Sequence, residues 1–148
     1  MNSEESKAMT EHVDTADRRG PLNILIVDDS AMMRALIKRV AGLCEVPIAN
    51  IYEAANGQEA IALLEQHDIQ ALFTDINMPV MSGTELLREI GRREQWRHLT
   101  RVIISTDGST ARREEVRDLN VRLYVEKPFR PEVMRDVLNE ITGASGGR

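Results

Sequence analysis

Four short stretches of this chain carry residues that could do chemistry. Asp75 closes the run Ala71-Leu72-Phe73-Thr74-Asp75 and is followed at once by Ile76-Asn77-Met78-Pro79. Asp28-Asp29 follows a second apolar run, Leu22 to Val27; Ser105 ends a third, and Lys127 follows a fourth, Leu123 to Glu126. A carboxylate at the end of a buried strand is held at the margin of the core, where it can meet a ligand. Three carboxylates drawn together repel one another unless a cation compensates. Magnesium is the natural candidate, because it takes oxygen ligands and often joins one or two carboxylates to a phosphate; manganese is a possible substitute. An ionised aspartate can attack phosphorus and form an acyl phosphate. Lys127 would then meet the phosphoryl oxygens as a point charge, and Ser105 would donate a hydroxyl hydrogen bond. Catalysis of this kind is mainly positioning and charge neutralisation.

Each residue alone has an ordinary structural reading. Asp28-Asp29 also fits an acidic helix start, Asp75 a turn cap and Ser105 a plain strand end, while Lys127 says little. Their joint placement, each at the end of a different strand, is far more specific.

The elements that must position them alternate. Strands are expected at Asn23–Val27, Ile51–Ala54, Ala71–Asp75, Arg101–Ser105 and Leu123–Glu126. Most are continuous apolar runs, which suits parallel strands covered on both faces; Ile51–Ala54 is the weakest and is placed near an edge. A first helix starts at the N-cap Ser30 with Met33, Leu36, Ile37, Val40 and Leu43 at helical spacing. Others run from Gln58 to Gln66, from Thr84, from Thr110 to Leu119, and from Pro131, a favourable first-turn residue. The fourth is unusually polar, with Val116 and Leu119 its only large apolar residues. Five β-α units imply an α/β, doubly wound, flavodoxin-like sheet of five parallel strands in the order 2-1-3-4-5. In such folds the ligand lies outside the carboxyl ends of the strands, where Asp28, Asp29, Asp75, Ser105 and Lys127 all fall.

Bulk properties narrow the function. The 148 residues fit one domain at 21–142, with polar tails expected at 1–20 and 143–148. A formal net charge of −5 leaves no basic footprint for nucleic acid, and 3% aromatic content argues against a base-stacking platform. The single cysteine, Cys44, excludes an intramolecular disulfide and reads as a small hydrophobe. No run approaches a membrane span and the N-terminus lacks an apolar signal core, which points to the cytosol.

Leu25-Ile26-Val27-Asp28-Asp29-Ser30, Asp75-Ile76-Asn77-Met78-Pro79-Val80-Met81-Ser82-Gly83, Val102-Ile103-Ile104-Ser105 and Lys127-Pro128-Phe129 together resemble the receiver domain of two-component response regulators, the CheY-like fold. Asn56-Gly57 also fits, and the resemblance runs from about Leu22 to Ile141. It implies that Asp75 is the phosphoacceptor, that Asp28, Asp29 and Asp75 hold magnesium together with the Asn77 backbone carbonyl, and that Lys127 contacts the phosphoryl group. It further implies that Ser105 is the switch hydroxyl, that Tyr124 is the aromatic switch, and that the Lys127-Pro128 bond is cis.

By the same resemblance, a sensor histidine kinase or histidine phosphotransfer protein supplies the phosphoryl group. The first helix is the docking element, with Met32 on its exposed face. The output is a contact with a downstream protein, since few residues remain after the fifth helix. The chain then catalyses its own phosphotransfer and dephosphorylation but is no enzyme in the ordinary sense. Rival readings are a binding module that works without phosphorylation and a phosphoryl shuttle in a longer relay. The sequence departs from the family at Thr106 and Asp107, which follow the switch hydroxyl, and at Asp118-Leu119-Asn120-Val121, which replaces Ala-Gly-Ala. With the polar fourth helix, these set the usual output face apart from the family's pattern.

Overall fold

The computed structural model describes residues 21–45 and 47–142; the expected tails lie outside them. The strands are β1 (Leu22–Val27), β2 (Ile48–Ala54), β3 (Ala71–Thr74), β4 (Thr100–Ser105) and β5 (Leu123–Glu126). The helices are α1 (Ala31–Gly42), α2 (Gly57–Gln66), α3 (Gly83–Gly91), α4 (Thr110–Glu115) and α5 (Pro131–Thr142), with one 3-10 turn at Glu94–Trp96. All pairings are parallel and the order is β2-β1-β3-β4-β5, as expected, with Ile48–Ala54 on an edge.

Alternation along the strands feeds two cores. Ile24, Ile26, Phe73, Val102 and Ile104 point to the face covered by α1 and α5. Leu25, Val27, Leu72 and Ile103 point to the face covered by α2, α3 and the 3-10 turn, where Trp96 is buried. Because both faces are dry, the strands read as unbroken apolar runs.

Helix starts are written locally. Ser30 accepts from the Met33 amide, Asn56 from the Glu59 amide and Ser109 from the Arg112 amide. Ser82 and Glu85 form a reciprocal capping box at α3. Each cap satisfies amides that have no partner inside the helix.

Several expectations need correction. Strand β3 ends at Thr74, so Asp75 lies one residue beyond it. The stripe on α1 is narrower than its spacing implied: Leu36 is exposed, and Leu43 stands past the helix end and is 77% exposed. Helix α4 stops at Glu115 rather than Leu119. Glu114 and Glu115 stand at its carboxyl end, where the helix dipole disfavours negative charge. Asn120 then turns with φ 60°, the left-handed conformation that only glycine and asparagine adopt readily. Asn120 thereby does the work of the missing glycine.

Candidate functional site

The last ladder hydrogen bonds of the sheet set the site. The Asp28 amide donates to the Ala54 carbonyl (3.0 Å), the Asp75 amide to the Val27 carbonyl (2.9 Å) and the Lys127 amide to the Ser105 carbonyl (2.8 Å). Asp28, Asp75 and Lys127 are therefore each fixed one residue past a strand, while Ser105 ends its own. The Lys127-Pro128 bond is cis, as the resemblance implied.

Lys127 Nζ lies 2.7 Å from Asp28 Oδ2 and 3.0 Å from Asp75 Oδ2, linking residues far apart in sequence. Asp28 and Asp75 are buried, whereas Asp29 is exposed. Each buried carboxylate has a second hydrogen bond: the Ser30 amide donates to Asp28 Oδ1 (2.9 Å) and the Ile76 amide to Asp75 Oδ1 (2.6 Å). Burial works against the Lys127 ammonium, but the hydrogen bonds it donates to Asp28 and Asp75, with their negative charges, outweigh it and hold its pKa above the ordinary lysine value. Ligand atoms of Asp28, Asp29 and Asp75 all lie within 4.8 Å of one another. A set made only of carboxylate oxygens suits a hard divalent cation, and three carboxylates against one ammonium leave negative charge for it to neutralise. Asn77, exposed in the loop after Asp75, stands beside this cluster in sequence.

The loop after Asp75 is braced by close backbone contact. Gly83 packs so tightly that a Cβ there would stand 2.0 Å from the Asp75 carbonyl oxygen, and its amide donates to the Ile76 carbonyl (2.8 Å). The Met81 amide donates to the Pro79 carbonyl (2.7 Å) around Val80, whose φ is 68°. This is a γ-turn of the rare, strained hand. It brings the Met81 carbonyl to the Gly57 amide (2.9 Å), tying the loop to the start of α2.

On the other side, Ser105 is fully buried, and its Oγ accepts from the Asp107 amide (3.1 Å). The carbonyl of the same Asp107 accepts from the Tyr124 hydroxyl. Burial, followed by the Asp107 charge, pushes the Tyr124 phenol up. The Asp107 carboxylate is tied to the start of α4. It accepts from the Ser109 amide and Arg112, contacts that hold its pKa below the ordinary value. Thr106 is exposed.

Sequence reasoning missed two arginines. Arg34 donates to the Asp28 carbonyl (2.7 Å) and pairs with Glu53 (3.0 Å), bracing the loop after β1 from α1. Arg113 lies 4.3 Å above the Tyr124 ring, pairs with Glu126 (3.0 Å) and donates to the Gly108 carbonyl (3.1 Å). A basic residue four places after the N-cap Ser30 or Ser109 is the only signal, and it is a weak one. The two histidines among the described residues stay away from the site: His67 stacks on Tyr52 and His98 faces Asp68 at 4.0 Å.

The whole arrangement matches a known group of proteins. The model of the response regulator receiver domain matches residues 24–139. The Chemotaxis protein CheY homolog of Campylobacter jejuni is 32% identical over 127 residues, covering 85% of this chain and 96% of that protein. Chemotaxis protein CheY1 of Helicobacter pylori is 31% identical over 125 residues, covering 84% and 99%. The solved structure of the chemotaxis response regulator CheY4 of Vibrio cholerae superimposes with a TM-score of 0.73 at 25% identity, covering 82% of this chain and 98% of that one. Sheet order, strand-end residues and these likenesses agree, and the chain belongs to the response regulator receiver family.

Proposed function

We propose that Asp75 accepts a phosphoryl group from a histidine kinase or histidine phosphotransfer protein, and that the chain signals through changed protein contacts. The observation that carries this reading is the meeting of Asp28, Asp75 and Lys127 at one sheet edge, with Asp29 within ligand reach.

Asp75 Oδ1 is held by the Ile76 amide and Oδ2 by Lys127, so the carboxylate is oriented before a donor arrives. Asp28, Asp29, Asp75 and the Asn77 carbonyl would hold magnesium, which when bound neutralises charge on the phosphoryl oxygens. Lys127 contributes its fixed positive charge to the same oxygens.

Hydrogen bonds already present support a switch at Ser105 and Tyr124. Ser105 and Tyr124 hold opposite ends of Asp107, one at the amide and one at the carbonyl. A phosphoryl group on Asp75 adds strong acceptors. When the Ser105 hydroxyl turns to donate to them, its hold on Asp107 changes, and the Tyr124 contact changes with it. Docking of the phosphodonor protein fits α1, where exposed Met32 and Leu36 line an apolar groove with Met33 and Ala35.

The test is direct. Incubation with magnesium and acetyl phosphate should produce a retarded band on a phosphate-affinity gel. Asp75→Asn and addition of a chelator should each abolish it. A band that survives Asp75→Asn would overturn the assignment.

A further inference from the structure

At the opposite edge of the sheet stands a polar cavity, remote from Asp75. It has a volume of about 340 Å³ and lies between the end of α3, the 3-10 turn and the segment that leads from α4 to β5. Four arginines line it (Arg92, Arg93, Arg97 and Arg101) against two acidic residues, Glu94 and Asp118.

The four are not equivalent. Arg92 and Arg93 pair with Glu89, Arg93 also with Glu65, and Arg97 with Glu94. Arg101 is different. It is only 4% exposed, on the second residue of β4, and among the described residues it forms no ion pair. Its Nη2 donates to the Trp96 carbonyl (2.9 Å), and its buried Nε has no acceptor. A buried guanidinium carries a large desolvation cost unless an anion meets it, and its planar fork matches carboxylate and phosphate oxygens. The neutral Trp96 carbonyl leaves both the charge and Nε unanswered.

We infer that this cavity is a binding site for a small oxyanion, a phosphate or carboxylate group, held by Arg101 from within and by Arg97 at the rim. Its volume lies in the range of small-molecule pockets, and Leu87, Ile90 and Leu119 supply apolar wall for the body of a compound bearing such a group. The proposal is independent of Asp75, which lies beyond the far end of the strands.

Trp96 is the only tryptophan of the chain, and the guanidinium of Arg93, which lines the cavity, lies 4.8 Å from its ring, so its emission reports on the cavity. The full chain is titrated with sodium phosphate and, separately, with sodium acetate, against sodium chloride at matched ionic strength. A saturable emission change is expected with at least one oxyanion and none with chloride. Phosphate saturating at the lower concentration assigns the site to phosphate esters; acetate doing so assigns it to carboxylates. Arg101→Met should weaken binding by roughly tenfold or more and Arg97→Ala by about threefold, the worth of a buried and a rim charge-assisted contact. Amide shift mapping in the parent should place the response at Gly91–Arg97 and Asp118–Asn120, which keeps the test valid if Arg101→Met misfolds. No saturable response to either anion, an unchanged midpoint in folded Arg101→Met, or shifts confined to other surfaces would overturn the proposal.

Discussion

Lys127 governs the electrostatics of the site. It compensates two buried carboxylates at once, so its removal leaves Asp28 and Asp75 facing each other without a cation. Lys127→Met is expected to destabilise the metal-free protein by about 3 kcal/mol, the usual cost of breaking a buried ion pair. Magnesium should recover more stability in the variant than in the parent, and equal recovery in thermal melts would contradict this. The sign of the pH dependence follows from the raised lysine pKa. A group raised in the folded state contributes fully below its unfolded value and loses the contribution as pH climbs through the folded one. The gap between parent and variant should therefore hold steady from about pH 6 to about pH 9 and close only above the ordinary lysine value. Val80 makes the opposite case, a residue whose role is not legible from its type. A β-branched side chain at φ 68° is strained, and Val80 is 73% exposed, so it gains little by packing. Val80→Gly should raise stability by about 1 kcal/mol in denaturant titration, after the flexibility cost of glycine is subtracted. A loss of stability would show that the γ-turn is held for another reason.

The strands and most helix starts were legible because their signals are local. Unbroken apolar runs mark strands covered on both faces, and Ser30, Asn56, Ser82 and Ser109 each cap a helix through their own side chains. What ended α4 was less legible. The helical pattern continues to Leu119, but a left-handed Asn120 and two terminal glutamates cut it short. The departure from Ala-Gly-Ala is smaller than it looked, since asparagine meets the same backbone demand. The polar character of α4 also finds its reason here: Arg112 and Arg113 tie it to Asp107, Glu126 and the Tyr124 ring instead of burying apolar surface. Such ties are weak one by one, about 1 kcal/mol or less for an exposed pair or a cation–π contact. Arg113→Ala should thus leave global stability nearly unchanged while speeding amide exchange across Thr110–Glu115 by about tenfold, the combined loss of its contacts with Glu126, the Tyr124 ring and the Gly108 carbonyl. Unchanged exchange there would mean that Val116, the one buried anchor after the helix, holds α4 without help from Arg113.

Across the whole molecule the sheet separates two polar regions. Its carboxyl edge gathers the acidic cluster, and its amino edge gathers the arginine-lined cavity. The acidic cluster was legible because a parallel sheet brings all carboxyl ends to one edge, so the acidic and lysine positions could be paired without knowing any distance. The arginine cavity was not, since nothing local marks Arg101 as buried in a strand otherwise read as apolar. The proposed cation site at the acidic edge would make folding and metal binding one equilibrium. Three carboxylates and one ammonium leave two uncompensated negative charges in the folded state, charges that the unfolded chain disperses into water. A divalent cation that binds only the folded form stabilises it by mass action, by about 1.4 kcal/mol at ten times its dissociation constant. For a domain of this size that corresponds to a rise in Tm of roughly 4 °C. Magnesium chloride should raise Tm along this saturating curve, while sodium chloride at the same ionic strength should not. Asp29 is exposed, so Asp29→Asn should fold as the parent does yet lose most of the magnesium-dependent rise. An equal rise in parent and Asp29→Asn would assign the effect to general screening of the acidic surface. A rise lost only in the variant would assign it to a cation held at the end of β1, beside Asp75.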